Sequence, residues 1–341
     1  MVRISDIMRR RGREEKEEEK PKPLIKEEVK EKEEVKPLGF SEETAKDIEE
    51  IKGLYFEAVY FMRSLWDDLE KERPLNAQAI KNIANRLRDA FLKKSEVMLN
   101  SAASYTIGNN YLPVHSVNVC LYALSIGSGL GYDKERLSDL AIAALLHDVG
   151  MSRVPKEIFL KPGPLSGEER IEVKKHPVEG YKILKAVKDF HKDIALSAYQ
   201  QHERKLGRGY PEGLKDDETL EFAKIIGMVD AYDAITHHRV YQESRSPHEA
   251  VKELLKLKDE FTNRILKILV EQFTIYPIGT VVQLNTDEVG NIKEVNKNFP
   301  TRPVVEIVLD SEGQRLKKSK RVDLSKQQVL FIQKTFAKER G

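Results

Sequence analysis

Cysteine is nearly absent: Cys120 is the only one in 341 residues. No intrachain disulfide can form and no cysteine-based zinc cluster can be built. Small secreted scaffolds held by cross-links are thereby excluded. Charge of one sign is missing as well. The 58 Lys and Arg stand against 56 Asp and Glu, leaving a net charge of +2. A globally basic nucleic-acid binder is excluded by that balance, and no DNA partner is expected. No apolar run approaches the roughly 18 to 20 residues that a membrane span requires. The opening stretch MVRISDIMRRRGREEKEEEK has no apolar segment of the signal-peptide kind. No membrane attachment and a cytoplasmic location are therefore expected. The glycine-rich stretches at 129–136 and 207–211 fit neither a P-loop nor a dinucleotide fingerprint.

What is present divides the chain into four parts. Residues 1–40 hold 12 Lys or Arg and 11 Asp or Glu, interrupted by Pro21, Pro23 and Pro37. That composition predicts a disordered charged tail, with a docking arm as the alternative. Residues 41–99 form an N-terminal helical region. Ile48, Ile51, Tyr55, Val59, Met62 and Trp66 recur at helical spacing, and Ile80, Ile83, Leu87 and Phe91 make a second stripe after Asn76, an N-cap candidate. These two antiparallel helices need a partner surface, either the next domain or a second copy in a homodimer. Residues 100–271 read as nearly all helix, with segments at 114–130, 134–148, 166–186, 191–203, 220–238 and 247–270. Ser166 with Glu169 gives a capping box, and Ser246, Pro247 and Glu249 give a second helix start. Residues 272–341 switch to short Val- and Ile-rich runs separated by turn signals at 289–291, 299–300 and 311–313, a small β appendage. The expected fold class is mainly α, a helical bundle with an N-terminal helical region and a small C-terminal β domain.

The chemistry lies in the order of the histidines and acids. His115, the pair His147-Asp148, His176, His202 and Asp230 all occur within the helical part. Neutral imidazole and carboxylate suit divalent iron, manganese or zinc. An adjacent His-Asp pair can offer two ligands to one ion, and its carboxylate can bridge two. The pair follows the apolar run AIAALL, so it is presented from a buried helix, where both groups need partners. His191, His237, His238 and His248 fit ordinary core or surface positions, Cys120 fits a small buried side chain, and the basic run LKKSKR at 316–321 fits a solvated surface.

Together HSVNV at 115–119, HDVG at 147–150, HP at 176–177, QHERKLGRGYP at 201–211 and VDAYDAITHHRVY at 229–241 resemble the HD-GYP family. This is a subgroup of the HD superfamily of metal-dependent phosphohydrolases. The resemblance implies an HD-type helical bundle that hydrolyses cyclic di-GMP to pGpG, and then to GMP, with a metal-bridged hydroxide as nucleophile. By motif match, His115, His147, Asp148 and Asp230 hold one metal, and Asp148 bridges to a second held by His176 and His202. His147 and Asp148 form the catalytic pair. Gly209, Tyr210, Pro211 and Arg239 are placed as substrate contacts. Two divalent ions, iron or manganese, are the implied cofactors.

The sequence also departs from the family pattern. Gln201 replaces the first of two adjacent histidines, so the second metal is expected to be weakly held. Leu206 replaces an Asp, Met151 a phosphate-binding Lys, and Gln242 a frequent Arg. Tyr111 stands where trimetal members carry Glu, so no third metal is expected. Weak catalysis follows, or the alternative that the protein is a cyclic di-GMP receptor. Restoring Lys at 151 and His at 201 is expected to raise the rate about tenfold.

Overall fold

The computed structural model describes residues 42–104, 111–161, 163–237, 247–273, 279–296, 302–327 and 329–336. The expected tail at 1–40, the Ser246 cap, the 299–300 turn, Arg239 and Gln242 lie outside the described residues. Eleven helices among the described residues run in the order α1 (Glu42–Glu70), α2 (Ala77–Ser104), α3 (Tyr111–Gly129), α4 (Lys134–Leu145), α5 (Lys156–Phe159), α6 (Gly167–Val173), α7 (His176–Lys185), α8 (Lys192–Gln200), α9 (Glu221–Thr236), α10 (Pro247–Lys256) and α11 (Asn263–Gln272). Five strands follow: β1 (Val281–Leu284), β2 (Val289–Glu294), β3 (Val304–Leu309), β4 (Arg315–Asp323) and β5 (Ile332–Phe336). The fold is mainly α with a small C-terminal sheet, as the periodicities require.

The centre of the bundle is α3. Residues 113–127 of that helix are buried without a break, which matches a helix apolar all round rather than on one stripe. Around it pack α1, α2, α4, α9 and α11. The stripe Ile51, Tyr55, Val59, Met62 and Trp66 on α1 is buried, as are Ile80, Ile83, Leu87 and Phe91 on α2. The two N-terminal helices therefore cover their apolar faces within the chain. The Asn76 cap accepts from the Ala79 backbone N–H at 3.0 Å, and the Ser166–Glu169 capping box closes in both directions.

Three local expectations need correction. The segment 247–270 is two helices, α10 and α11, parted by a turn at 257–262. The segment 166–186 is two helices, α6 and α7, because Pro177 sits in the first turn of α7. Proline fits a helix start but cannot continue one from the preceding turn. The expected turn at 289–291 lies inside β2. The chain turns earlier, with Asp287 at φ 64°. Gly290 is there for close approach: a Cβ would come within 2.5 Å of the Glu306 carbonyl oxygen.

The strands pair antiparallel in the order β4-β3-β2-β1-β5. Val282, Leu284, Ile292, Val305, Ile307 and Val322 form the buried face. The basic run falls on β4, an edge strand exposed from Lys317 to Arg321. Lysines on an edge are a common guard against further strand pairing.

Candidate metal centre

Each expected ligand comes from a different part of the bundle. His115 lies in the first turns of α3. His147 and Asp148 follow α4, where Asp148 opens a 3-10 turn at Val149–Arg153. His176 begins α7, His202 follows α8, and Asp230 lies mid-way along α9. The HDVG glycine makes the convergence possible. A Cβ at Gly150 would stand 1.9 Å from the His176 carbonyl oxygen and 2.4 Å from the Gly180 nitrogen, so any other residue would force α7 away from the His-Asp turn.

The side chains form two sets that share Asp148. His115, His147 and Asp148 have ligand atoms within 4.8 Å of one another, and so do Asp148, His176 and His202. The two carboxylate oxygens divide between them. Oδ2 is 3.5 Å from His147 Nε2 and 3.9 Å from His115 Nε2, whereas Oδ1 is 3.2 Å from His176 Nε2. Asp230 Oδ1 joins the first set at 3.3 Å from His115 Nε2. In the second set, the Nε2 atoms of His176 and His202 are 3.0 Å apart. Neighbouring ligands at about 2.1 Å from one ion, at a right angle, stand about 3.0 Å apart.

The tautomers are set from behind. His147 Nδ1 donates to the Ala144 carbonyl at 2.8 Å, and His176 Nδ1 donates to the Val173 carbonyl at 2.7 Å. His115 Nδ1 donates to Asp233 Oδ2 at 2.6 Å. All three rings thus turn Nε2 toward the shared carboxylate. Ligating histidines are commonly oriented through their other nitrogen in this way. The buried His147 Nε2 has no hydrogen-bond partner among the described residues, which is costly for a polar atom unless something else binds there. The donor set, its tautomers and this orphaned atom fit a divalent metal.

The charges agree. Burial opposes an ionised Asp148, but His147, His176 and His115 outweigh it and hold the carboxyl well below its ordinary range. Burial keeps His147 and His202 neutral, pushing both down. His115 is the exception. Burial would lower it, yet its hydrogen bonds to Asp230 and Asp233 drive it up to about 9. At neutral pH the metal-free imidazole therefore carries a proton that an arriving metal must displace, while these other shifted ligands have none to give. Metal uptake at pH 7.5 is expected to release about one proton per chain. Calorimetry in buffers of different ionisation enthalpy measures this number, and a value near zero would contradict the assignment of His115.

The departures are also placed. Gln201 is fully buried. Its Nε2 donates to the His147 carbonyl at 2.7 Å and to Asp148 Oδ1 at 3.2 Å, and its Oε1 is buried without a partner among the described residues. Tyr111 stacks on His115, ring centroids 5.0 Å apart, with its hydroxyl 3.1 Å from Nδ1. Leu206 is exposed. Met151 is buried against Trp66, Val154 and Val173, so the position at which a lysine was expected to raise the rate belongs to a small apolar cluster.

Beside the second set stands the GYP loop. Tyr210 stacks on His202 at 4.7 Å. A Cβ at Gly209 would meet the Glu203 Cα at 2.3 Å, so this glycine lets the loop lie against the ligand segment, and Pro211 follows at its rim. Glu203 anchors the loop by accepting the backbone N–H groups of Glu212, Gly213 and Leu214. Sequence reasoning missed Asp233 behind His115. The signal was its place three residues after Asp230, on the same face of α9.

The family model of the HD domain matches residues 79–264, and that of a KOW domain associated with the HD domain matches 281–340. The cyclic di-GMP phosphodiesterase PdeB of Borreliella burgdorferi is 29% identical over 201 residues, covering 59% of this chain and 53% of its own length. A cyclic di-GMP phosphodiesterase of Pseudomonas aeruginosa is 25% identical over 250 residues, covering 73% and 60%. The chain thus spans between half and two thirds of the length of these curated relatives. An HDG"Y"P protein of Bdellovibrio bacteriovorus shares the fold, with a TM-score of 0.54 at 19% identity over 66% of this chain and 76% of that one.

Proposed function

The chain belongs to the HD-domain family, in its HD-GYP branch, and from that premise we propose that it is a metal-dependent phosphodiesterase that hydrolyses cyclic di-GMP to pGpG. The observation that carries this reading is the split of the Asp148 oxygens between two histidine sets. One carboxylate facing two sites is what a pair of ions acting on one phosphodiester needs. When bound, such ions supply positive charge against the phosphoryl oxygens and acidify a water.

The residues of this chain do the rest. His115, His147, Asp148 and Asp230 hold the first ion, and Asp148, His176 and His202 the second. His147 and Asp148 stand at the reacting centre. Tyr210, with Gly209 and Pro211, shapes the rim next to His202. Lys174 sets its ammonium 5.1 Å from the Tyr210 ring, so a cation remains at the rim although position 151 offers none. Arg239 is the proposed second phosphate contact. Gln201, a neutral amide in place of an imidazole, leaves the second ion the weaker of the two. Iron and manganese both suit this donor set.

Full-length protein with anaerobic iron(II) or manganese is expected to convert cyclic di-GMP to pGpG, and a chelator is expected to stop it. No turnover over hours would sink the enzyme reading. Calorimetric binding without turnover would identify the protein as a receptor instead.

A further inference from the structure

The polar chain behind His115 does not end at Asp233. That carboxylate is fully buried. Its Oδ2 takes the N–H of His115, and its Oδ1 lies 2.9 Å from His237 Nδ1. On the far side of the ring, His237 Nε2 is 2.8 Å from the carbonyl oxygen of Ala102. Nδ1 also lies 3.3 Å from the backbone carbonyl oxygen of Asp233, while Oδ1 itself receives no hydrogen bond among the described residues and meets the ring as an ion pair. Carbonyls only accept hydrogen bonds, so both nitrogens of His237 carry hydrogen and the ring is a cation. Burial works against that charge, but Asp233 overrides it and raises His237 above its ordinary value. The buried anion behind the metal ligand thus has its own counter-ion.

The cation is well seated. Ala102 lies in the last turn of α2, where carbonyls lack partners within the helix and the helix dipole favours positive charge. Asn118, one turn along α3 from His115, accepts from the Tyr55 hydroxyl at 2.8 Å through Oδ1 and packs its amide nitrogen against the His237 ring, 3.3 Å from Nε2. Tyr55 belongs to α1, ahead of the region matched by the HD-domain family model. Buried polar contacts therefore run from His115 through Asp233 and His237 to Ala102 of α2, and packing through Asn118 carries them on to Tyr55 of α1.

We propose that His237 is a positioning residue of the metal centre: ion-paired with the Asp233 carboxylate and donating to the Ala102 carbonyl, it holds the carboxylate that orients His115 and ties the affinity of the His115 site to the seating of α1 and α2. The inference rests on the two-ion reading above. It assigns the N-terminal helices a part in metal binding that a mere cover for the core would not have.

The test is a metal titration against a chromophoric chelator, using manganese and cobalt(II). It is run on the full chain and on a His202→Ala chain that keeps only the His115 site. His237→Phe preserves ring volume and removes both donors. It is expected to weaken the His115 site about 10- to 100-fold and to alter the visible spectrum of bound cobalt. His237→Gln, which can restore one donor, is expected to fall between Phe and wild type. Tyr55→Phe, at the far end of these contacts, is expected to weaken the same site by about threefold and needs no change in the core, so it serves if His237→Phe does not fold. Loss confined to the His115 site supports the proposal. A lowered melting temperature with both metal constants and the cobalt spectrum unchanged overturns it, as does equal loss at both sites. A wild-type chain that takes up no metal overturns the two-ion reading and this inference with it. A wild type that binds two ions, with His237→Phe indistinguishable from it, overturns this inference alone.

Discussion

Asp148→Ala is expected to empty both metal positions and to lower cyclic di-GMP hydrolysis by about a thousandfold or more. Among the described residues, Asp148 alone belongs to both ligand sets. Its Oδ1 serves His176 and its Oδ2 serves His147 and His115, so one truncation removes a ligand from each ion. What remains is a cluster of imidazoles with no shared carboxylate between them. The fold should survive the change. Gln201 keeps its bond to the His147 carbonyl, and Asp148 carries no side-chain cap of the 3-10 turn that it opens. Metal analysis of the purified variant, with its melting curve in chelator as a control, checks both halves. Undiminished occupancy would show that the ligands were wrongly assigned.

Met151→Lys is expected to destabilise the protein rather than to rescue its catalysis. Family resemblance places a phosphate-binding lysine at this position, and sequence reasoning alone predicts a gain from restoring it. The structure reverses that prediction. Met151 is only 9% exposed and packs with Trp66, Val154 and Val173, with Leu112, Ile158, Phe159 and Leu165 around them. An ammonium among these side chains must lose its proton or remain charged without water. Either way the cost is about 4 kcal/mol, enough to lower the melting temperature by roughly 10 °C. Thermal unfolding of the metal-free variant measures this. A variant with unchanged melting and faster turnover would show that the lysine reaches the cleft after all. Gln201→His is the half of the restoration that the geometry supports. The Gln201 amide donates to the His147 carbonyl while its Oε1 goes unpartnered among the described residues. An imidazole can keep the donor and offer its second nitrogen beside Asp148.

Those two positions show where the sequence was legible and where it was not. Helical spacing on α1 and α2, the Asn76 cap and the Ser166–Glu169 box rest on neighbours a few residues apart, and the structure has them where the periodicity puts them. The convergence of the histidines and acids was legible for another reason. An exposed His-Asp pair is unremarkable, but one that follows a wholly apolar run must find partners. Contacts between distant segments left no such mark. Nothing near Met151 indicates that Trp66, 85 positions earlier, will cover it. His237 read as an ordinary core histidine because its two acceptors, Asp233 and Ala102, meet only after α2 and α9 have packed. The turn misplaced at 289–291 has the same origin. Gly290 reads as a turn residue by composition, whereas its real constraint is the Glu306 backbone on the neighbouring strand.

The most direct test of the two-ion account is diffraction from crystals grown with manganese or iron, recorded at the absorption edge of the metal. Two anomalous peaks are predicted, one among His115, His147 and Asp230 and one between His176 and His202, with the Asp148 carboxylate between them and Gln201 next to the weaker peak. A single peak under saturating metal, or two peaks that do not share Asp148, would contradict the account.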